Sequence, residues 1–541
     1  MTQVQRSLEV VCELMKKMPE TVEKVCVKAV HGMVLLISLI LGYWAVRYTH
    51  GYPSNLSEDS ILIEPDSPGR NLLVFAGVTV GAWLLRRAVL RGEEALWKKR
   101  VRRIAIAVTL GMGLLLTLWV SVCHITPVWD QMQVYLDAMD FKAGNFRDMT
   151  GYIYMCPHQY GLTFLYEIFL AFGGGYRLLQ YINVLMVMCT VWSSYALVEE
   201  LFGDARASLY VIIGDLLFFP LWLYTNYVYG ELLSIGFSML GIWLLVRGCR
   251  RKKNICVLLS LLTLSVAVLA RSNVLVVLIA VCIAMLIYSL RQRSLRLLAV
   301  AALTILVPLG AIGAMRLSYE LRSGIQIQGG IPSSMYVAMG MQRSTGGAGV
   351  YNGYNNSVFR GEAGSDEEKA NQIALSYIRE RLGEFREDPA MARDFYKEKI
   401  QEQWNEPTFC SLVMTATFEQ PPTGMVEKLY YGEWQQNYRD YTNRYLTVLY
   451  LGVILYCVIG LVQKRDILQC LLLIGVIGGF LFSILWEAKS RYVLPYIVLL
   501  IPYMALGLSA LQAGLGSALG RLGKTLGKRG DSRNETGVNC L

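Results

Sequence analysis

Apolar runs long enough to cross a lipid bilayer recur along this chain, and they constrain its fold more than any other feature. A transmembrane helix needs about 20 predominantly apolar residues. The runs cover about residues 30–47, 72–88, 104–124, 177–198, 207–223, 231–247, 255–270, 273–290, 297–315, 446–463, 467–485 and 492–512. Only 17% of the residues are charged, whereas a soluble domain carries about 25%. The sequence therefore predicts an all-α polytopic membrane protein with about 12 transmembrane helices.

Basic residues between the runs predict how the chain is oriented, because Lys and Arg concentrate in cytoplasmic loops. The basic segments are RRAVLRGEEALWKKRVRR (86–103), RGCRRKKN (247–254), RQRSLR (291–296), QKRD (463–466) and RLGKTLGKRG (521–530). Placing them all inside fits twelve crossings with both termini in the cytoplasm. The same rule accounts for the net charge of +10, so we expect no nucleic-acid partner. The 12 cysteines show no CxxC spacing, which argues against a disulfide framework or a zinc site.

This orientation divides the chain into six parts. We expect a cytoplasmic N-terminal segment (1–28), two extra helices with a basic loop (29–103), a transmembrane core (104–315) with a first outer loop (125–176), an outer-face soluble domain (316–445), C-terminal transmembrane helices (446–512) and a cytoplasmic tail (513–541). The stretch YGLTFLYEIFLAFGGG (160–175) is apolar but short. A crossing there would place the basic loops on the wrong side, so we predict an interfacial or re-entrant helix.

Polar and aromatic residues cluster at the predicted outer ends of the spans. The segments are WDQMQVYLDAMD (129–140), YMCPHQYG (154–161), LYTNYVYGE (223–231), ARSN (270–273) and WEAKSRY (486–492). A planar guanidinium can bind a phosphate through two parallel hydrogen bonds. A carboxylate can take the proton of an acceptor hydroxyl. Carboxylates beside cations at the bilayer surface therefore suit a lipid-anchored phosphosugar, although ordinary interface anchoring also explains such residues.

Three motifs resemble the lipid-linked-sugar glycosyltransferases of the GT-C superfamily, which include protein O-mannosyltransferases and lipid A aminoarabinose transferases. Asp130 follows the first core span, with YLDAMDFKAGNF after it; YMCPHQYG precedes a short apolar helix; and RYVLPYIVLLIPY stands near the C-terminus. The resemblance covers about residues 104–512. It implies a GT-C-like bundle in the plasma membrane, with its active site on the outer face.

The resemblance also implies an activity: a hexosyl or pentosyl group moves from a polyprenyl-phosphate donor to a glycan, lipid or protein acceptor. Asp130 matches the catalytic base of the family, and Glu231 fills the place of a second acid. The remaining expected roles are donor-phosphate binding by Arg271, Lys489, Arg491 and His158, and substrate binding by Gln131, Tyr135, Tyr229 and Tyr492.

Gln131 departs from the protein O-mannosyltransferases, in which a second acid follows the first-loop acid. This difference weakens a metal site built from adjacent carboxylates, so no metal ligand is assigned and a divalent metal is left open as a cofactor. Asp137 and Asp140 share a helix face with Asp130, and a solvated face explains them equally well. The chain also lacks the WWDYG string of oligosaccharyltransferases.

Two other functions remain open. A transporter or flippase of lipid-linked glycans would need ionisable residues in mid-span, and Asp215 is the best candidate for one. A glycan polymerase or ligase would also use lipid-linked donors and a large outer loop. A polymerase or ligase would not need an acid at the start of the first core loop.

Overall fold

The computed structural model describes residues 3–51 and 61–534, together with the side chains of 19–51, 61–149 and 151–514. Most of the predicted tail (513–541) and residues 1–18 of the predicted N-terminal segment therefore lie outside the described side chains. Helices dominate the described residues, and the strands form two short antiparallel hairpins.

The first half of the chain begins with a long helix and continues into the core of the bundle. Its elements are α1 (Gln3–Arg47), β1 (Tyr48–Gly51), β2 (Leu62–Pro65), α2 (Pro68–Val89), α3 (Glu94–Cys123), α4 (Trp129–Lys142), α5 (Tyr152–Met155), α6 (Tyr160–Leu170), α7 (Gly175–Leu201), α8 (Ala205–Leu217), α9 (Pro220–Leu223), α10 (Glu231–Arg250), α11 (Asn254–Ala270), α12 (Val274–Gln292) and α13 (Leu295–Ser323). Strands β1 and β2 pair in register from Tyr48 with Pro65 to Gly51 with Leu62.

The second half begins with shorter helices and ends with three long ones. Its elements are α14 (Ser333–Met339), β3 (Arg343–Ser344), β4 (Gly347–Ala348), α15 (Tyr354–Ser357), α16 (Glu367–Glu387), α17 (Pro389–Trp404), α18 (Ser411–Met414), α19 (Gly424–Tyr430), α20 (Trp434–Val462), α21 (Leu471–Leu485) and α22 (Ser490–Asn534). Short 3-10 turns and one π turn connect several of them.

Eleven of the twelve predicted spans each overlap one of these helices, and the span predicted at 207–223 overlaps the pair α8 and α9. Within the described residues, ten helices are long and apolar enough to cross a membrane, or eleven if the bent pair α8–α9 is one span. Helix α11 is also apolar, but it has only 17 residues. The protein is therefore a helical, multi-pass membrane protein.

The span predicted at 207–223 is not one straight helix. Helix α8 ends at Leu217, and the pair bends by 53° before α9 begins at Pro220. Proline has no backbone N–H to donate and its ring clashes with the preceding turn, so it starts a helix more readily than it continues one. Sequence hydropathy does not register this break.

Helix α6 is too short to cross the bilayer. Its 11 residues span about 16 Å at 1.5 Å per residue, against about 30 Å of hydrocarbon. Most of its side chains are buried against the neighbouring helices. A Cβ on Gly161 would lie 2.4 Å from the carbonyl oxygen of Leu269, so α6 approaches α11 backbone to backbone.

The segment predicted as an outer-face domain (316–445) is continuous with the bundle. Trp404 is fully buried and donates from Nε1 to Ser483 Oγ at 2.9 Å, and Tyr450 donates to the Trp404 carbonyl at 2.6 Å. Asn405 donates to the carbonyl of Leu41 in α1 at 3.0 Å. Residues 404–414 thus contribute to the main core, while α16 is mostly exposed.

Candidate active site

Asp130 lies on the first turn of α4, just beyond the end of α3. Helix α3 ends at Cys123, where His124 takes a left-handed conformation with φ of 49°. The Asp130 side chain is exposed and accepts a hydrogen bond from the Tyr229 hydroxyl at 3.2 Å. A carboxylate in the first turn of a helix is favoured by the helix dipole.

Gln131, the next residue, is buried, whereas Asp130 is exposed. Its Nε2 donates to the carbonyl of Met414 at 3.3 Å, and its Oε1 accepts from the amide of Val228 at 3.0 Å. The side chain therefore ties the start of α4 to the segment before α10. This contact fixes the position of Asp130 relative to Tyr229.

The Tyr229 hydroxyl connects three polar groups. Besides donating to Asp130, it accepts from Gln159 Nε2 at 2.7 Å and lies 3.1 Å from the Tyr152 hydroxyl. Burial raises the pKa of Tyr229 well above its ordinary value, so the phenol stays protonated and remains a donor at neutral pH.

Two arginines lie beside the Tyr229 ring. The guanidinium carbons of Arg271 and Arg491 are 5.2 Å and 5.4 Å from its centroid. The same two groups lie 5.9 Å and 5.1 Å from the ring of Tyr492. Cation–π contacts of this kind stabilise a cation that has lost water. The rings of Tyr229 and Tyr492 thus hold the two positively charged guanidinium groups close together.

Glu231 is the first residue of α10 and is buried. Its Oε1 forms an ion pair with Arg271 at 3.0 Å, and the charges of Arg491 and Lys489 also act on it. One carboxylate thus faces three cations. A second buried carboxylate, Glu487, acts on the neighbouring Tyr492 together with these three cations.

Arg491 begins the last span and contacts the Tyr227 hydroxyl through Nη1. The preceding residue, Ser490, donates to the buried carboxylate of Glu406 at 2.7 Å. Glu406 also accepts from the amide of Cys410 at 2.9 Å. These bonds hold the start of α22 against the 406–410 segment and so fix the position of Arg491.

His158 lies on the 3-10 turn before α6 and keeps exposed surface. Protein surrounds it on most sides, and this desolvation together with the nearby Arg271 lowers its pKa to about 4. Its ring packs edge-on to Tyr336 at 6.2 Å between centroids. At neutral pH His158 is therefore an uncharged hydrogen-bonding group and not a cation.

Tyr135 is the predicted site residue that has no described contact with this cluster. Its ring packs edge-on to Tyr176 at 6.0 Å, close to the glycines that follow α6. Five residues along a helix correspond to about 140° of rotation, so Tyr135 and Asp130 project from different faces of α4.

Sequence reasoning missed three residues of the site. Tyr152 and Gln159 contact Tyr229, and both stand in the aromatic segment around YMCPHQYG. Tyr351 is 45% exposed, and the charges of Asp130 and Glu487 both act on its phenol. Tyr351 comes from the turn-rich stretch STGGAGVYNGYNNS, where nothing in the pattern indicates closeness to Asp130.

A second acidic group lies two turns further along α4. Asp137 is buried and accepts from Gln133 Nε2 at 2.9 Å, and the same nitrogen contacts Asp148 at 3.4 Å. Burial, and then the negative charge of Asp148, raise the pKa of Asp137 to about 7. Asp140 is exposed. Asp137 is therefore buried within the fold, away from the Asp130 cluster.

The site lies at the opposite end of the spans from the basic segments. Helix α3 starts beside the basic segment 86–103 and ends just before Asp130, and its 30 residues span about 45 Å. Helix α10 starts at Glu231 and ends at Arg250. Across the described residues, no group of three or more His, Cys, Asp and Glu side chains could hold a metal ion.

Solved structures similar to this chain include two of one protein. No family model and no curated protein matches the sequence. ArnT from Cupriavidus metallidurans bound to undecaprenyl phosphate is 15% identical, with 75% of this chain and 78% of that chain covered and a TM-score of 0.31. The apo state of the same ArnT is 15% identical, with 74% and 77% covered and a TM-score of 0.33. ArnT is an aminoarabinose transferase of the GT-C family.

Proposed function

We propose that this protein is a GT-C-type membrane glycosyltransferase that moves a sugar from a polyprenyl-phosphate donor to an acceptor on the outer face of the membrane. One observation carries the proposal. An exposed carboxylate, Asp130, is joined through the Tyr229 hydroxyl and ring to the partly buried Arg271 and the buried Arg491. That arrangement suits a proton acceptor beside a site for a phosphate leaving group.

In the proposed reaction Asp130 is the base. The acceptor hydroxyl gives its proton to the carboxylate, and its oxygen forms a bond to the anomeric carbon of the sugar. The bond between that carbon and the phosphate oxygen breaks, and its electron pair leaves with the polyprenyl phosphate. The hydrogen bond from Tyr229 orients the carboxylate, a contribution that general-base catalysis requires.

The leaving phosphate is bound by Arg271, Arg491 and Lys489. Two guanidinium groups and an ammonium are grouped around Glu231. Fixed cations placed where negative charge develops stabilise the transition state by several kcal/mol. Glu231 keeps Arg271 in place before the donor arrives.

The remaining site residues contribute binding. His158, uncharged at neutral pH, donates to or accepts from the donor phosphate or sugar. Tyr492 lies beside both arginines and forms part of the donor pocket. Gln131 acts by positioning α4, and Tyr135 contacts substrate further along the outer loop.

The acceptor and the sugar are identified by direct assay. Purified protein is incubated with a panel of pentosyl and hexosyl polyprenyl phosphates and with extracts from cells that lack the protein. We expect release of polyprenyl phosphate and labelling of a glycan, lipid or protein that is missing from the deletion strain. If the protein neither hydrolyses nor transfers sugar from any member of the panel, the proposal is contradicted.

Transport of a lipid-linked glycan is a second candidate, because Asp215 lies inside the bundle. Its side chain is fully buried, and the Ser194 side chain is its polar neighbour. An intramembrane acid often marks a transport pathway. Asp215→Asn separates the two functions: a glycosyltransferase retains sugar transfer, whereas a transporter loses movement of the lipid-linked glycan across vesicles.

A further inference from the structure

A basic pocket lies at the end of the molecule opposite to the candidate active site, between α2, α3 and α22. Its volume is about 560 Å³, within the usual range for a small-molecule site. The side chains that line it include Trp83, Arg86, Arg87, Arg91, Trp97 and Gln512. None of the lining residues is acidic; Glu93 and Glu94 follow in the turn without lining the pocket.

The walls of the pocket are fixed by hydrogen bonds. Gln512 is buried, donates to the carbonyl of Thr79 at 3.1 Å and accepts from Tyr210 at 2.5 Å. Tyr210 also contacts the carbonyl of Ala82 at 3.0 Å, which ties α2 to α8 and α22. Arg100 donates to the carbonyl of Val89 at 3.3 Å and holds the turn between α2 and α3.

The arginines of the pocket are available to a ligand. No described ion pair involves Arg86, Arg87 or Arg91. Arg87 packs over the ring of Trp83 at 4.4 Å from the centroid, and Arg91 donates from Nε to the Arg87 carbonyl at 3.3 Å. These contacts orient two guanidinium groups and leave most of their N–H donors unused.

We propose that this pocket binds the headgroup of an anionic phospholipid from the leaflet on the basic side of the bundle. Three guanidinium groups complement a phosphodiester, which each can bind through two parallel hydrogen bonds. Tryptophans are favoured at the level of lipid headgroups, and Trp83 and Trp97 flank the pocket. Helix α2 is apolar, and only 6% of its span is buried, so lipid chains have direct access to the pocket along α2.

This proposal does not depend on the proposed function, and it differs from the general preference of basic residues for the cytoplasmic side. Snorkelling arginines reach separately into the headgroup region, whereas these three line one concave site. Basic pockets between spans bind acidic headgroups, and each nearby cation strengthens such binding. A defined pocket predicts that one anionic lipid binds tightly and saturably. Scattered charges predict only a weak, non-saturable excess of anionic lipids around the protein.

Native mass spectrometry of the detergent-solubilised full chain tests the proposal. The lipids are phosphatidylglycerol, phosphatidylcholine and a polyprenyl phosphate, and inorganic phosphate serves as the competitor. The test variant is Arg86→Gln/Arg87→Gln/Arg91→Gln. The matched control is Lys252→Gln/Lys253→Gln/Lys464→Gln, which removes three exposed positive charges elsewhere on the basic side.

We expect the wild type and the control to hold one phosphatidylglycerol at least roughly tenfold more tightly than phosphatidylcholine, with millimolar phosphate unable to displace it. The test variant should bind both lipids equally. An equal loss in the control, stronger binding of the polyprenyl phosphate that is lost in the test variant, or displacement by inorganic phosphate would overturn the proposal. If the triple variant does not fold, Arg87→Lys replaces it, because lysine keeps the charge but lacks the planar guanidinium. This variant should lower the preference for phosphatidylglycerol at least about threefold. An unchanged preference would overturn the proposal.

Discussion

At the scale of single residues, the proposed chemistry depends on Asp130 and Tyr229. The carboxylate is exposed, whereas the phenol is buried and bonded on three sides. The carboxylate can therefore reach a substrate proton, while the hydrogen bond from the buried Tyr229 hydroxyl fixes its orientation. Tyr229 therefore acts on the reaction through Asp130 and through the two arginines beside its ring.

Removing only the Tyr229 hydroxyl tests this role. Tyr229→Phe keeps the ring beside Arg271 and Arg491 but loses the hydrogen bond to Asp130. A hydrogen bond to a charged group is worth about 1.5–3 kcal/mol, so we expect kcat to fall about 10- to 100-fold with little change in KM. Tyr181→Phe, whose hydroxyl contacts Ser121 on an exposed surface, is the control. An unchanged kcat would remove Tyr229 from the mechanism.

Asp137 gives a prediction about stability and pH. Its pKa in the folded protein is about 7, above the value near 3.9 of an unfolded chain. Between these values the unfolded state ionises first, so the folded state loses stability as the pH rises from about 4 to 7. Asp137→Asn should raise the free energy of unfolding at pH 7.5 by at least about 1 kcal/mol.

Thermal unfolding in detergent at two pH values measures this effect. The gain from Asp137→Asn should largely disappear near pH 4, where the folded state carries the proton and the unfolded state is about half protonated. Asp140→Asn is the control, since Asp140 is exposed. An equal gain at both pH values would show that ionisation of Asp137 is not the cause.

At the scale of elements, the site depends on the close approach of α10 to α11. Gly230 precedes α10 with φ of 89°, and a Cβ there would lie 2.6 Å from the carbonyl oxygen of Ala270. Only glycine fits both the conformation and the space. This contact places Glu231, the first residue of α10, opposite Arg271, the residue after α11.

Gly230→Ala should therefore separate the two helix ends and weaken the Glu231–Arg271 pair. We expect a loss of stability of about 1–3 kcal/mol together with a rise in KM for the lipid donor. Gly310→Ala in α13 is the control, because a Cβ at that position has no neighbour within 4 Å. Equal behaviour of the two variants in unfolding and donor-binding assays would contradict this account of the site.

The helices themselves could be predicted from apolar runs of the right length, and the basic loops predicted which ends lie together. The bend before Pro220 and the contacts of Gln131 could not. Gln131 bonds to Val228 and Met414, and contacts across such sequence separations have no local signature. For the same reason Tyr351 was missed, although Asp130, Glu231, Arg271 and Arg491 were predicted from their positions at span ends.

At the scale of the whole molecule, residues 316–445 and the membrane bundle share one core. Trp404, Phe409, Cys410 and Met414 belong to the same buried cluster as the spans. Glu406 links this segment to Ser490 at the start of α22. A change in residues 404–414 can therefore reach Arg491 through a short, buried chain of contacts.

A fragment of residues 316–445 should not fold alone. Its apolar residues around Trp404 would be exposed without α1, α20 and α21, which they contact in the intact chain. Circular dichroism and proton NMR of the fragment should show partial helix without dispersed side-chain signals. Cooperative unfolding of the isolated fragment would contradict the continuity of the core.

The central claim is that Asp130 is the base of a sugar transfer, and matched substitutions test it most directly. Asp130→Asn keeps the size of the side chain but removes the proton acceptor, whereas Asp140→Asn makes the same change on the exposed surface of α4. Single-turnover transfer from a polyprenyl-phosphate sugar is measured for both purified variants. We expect Asp130→Asn to bind donor normally and to lose transfer by at least about 100-fold, while Asp140→Asn stays within about twofold of the wild type. Transfer by Asp130→Asn at the wild-type rate would contradict the claim.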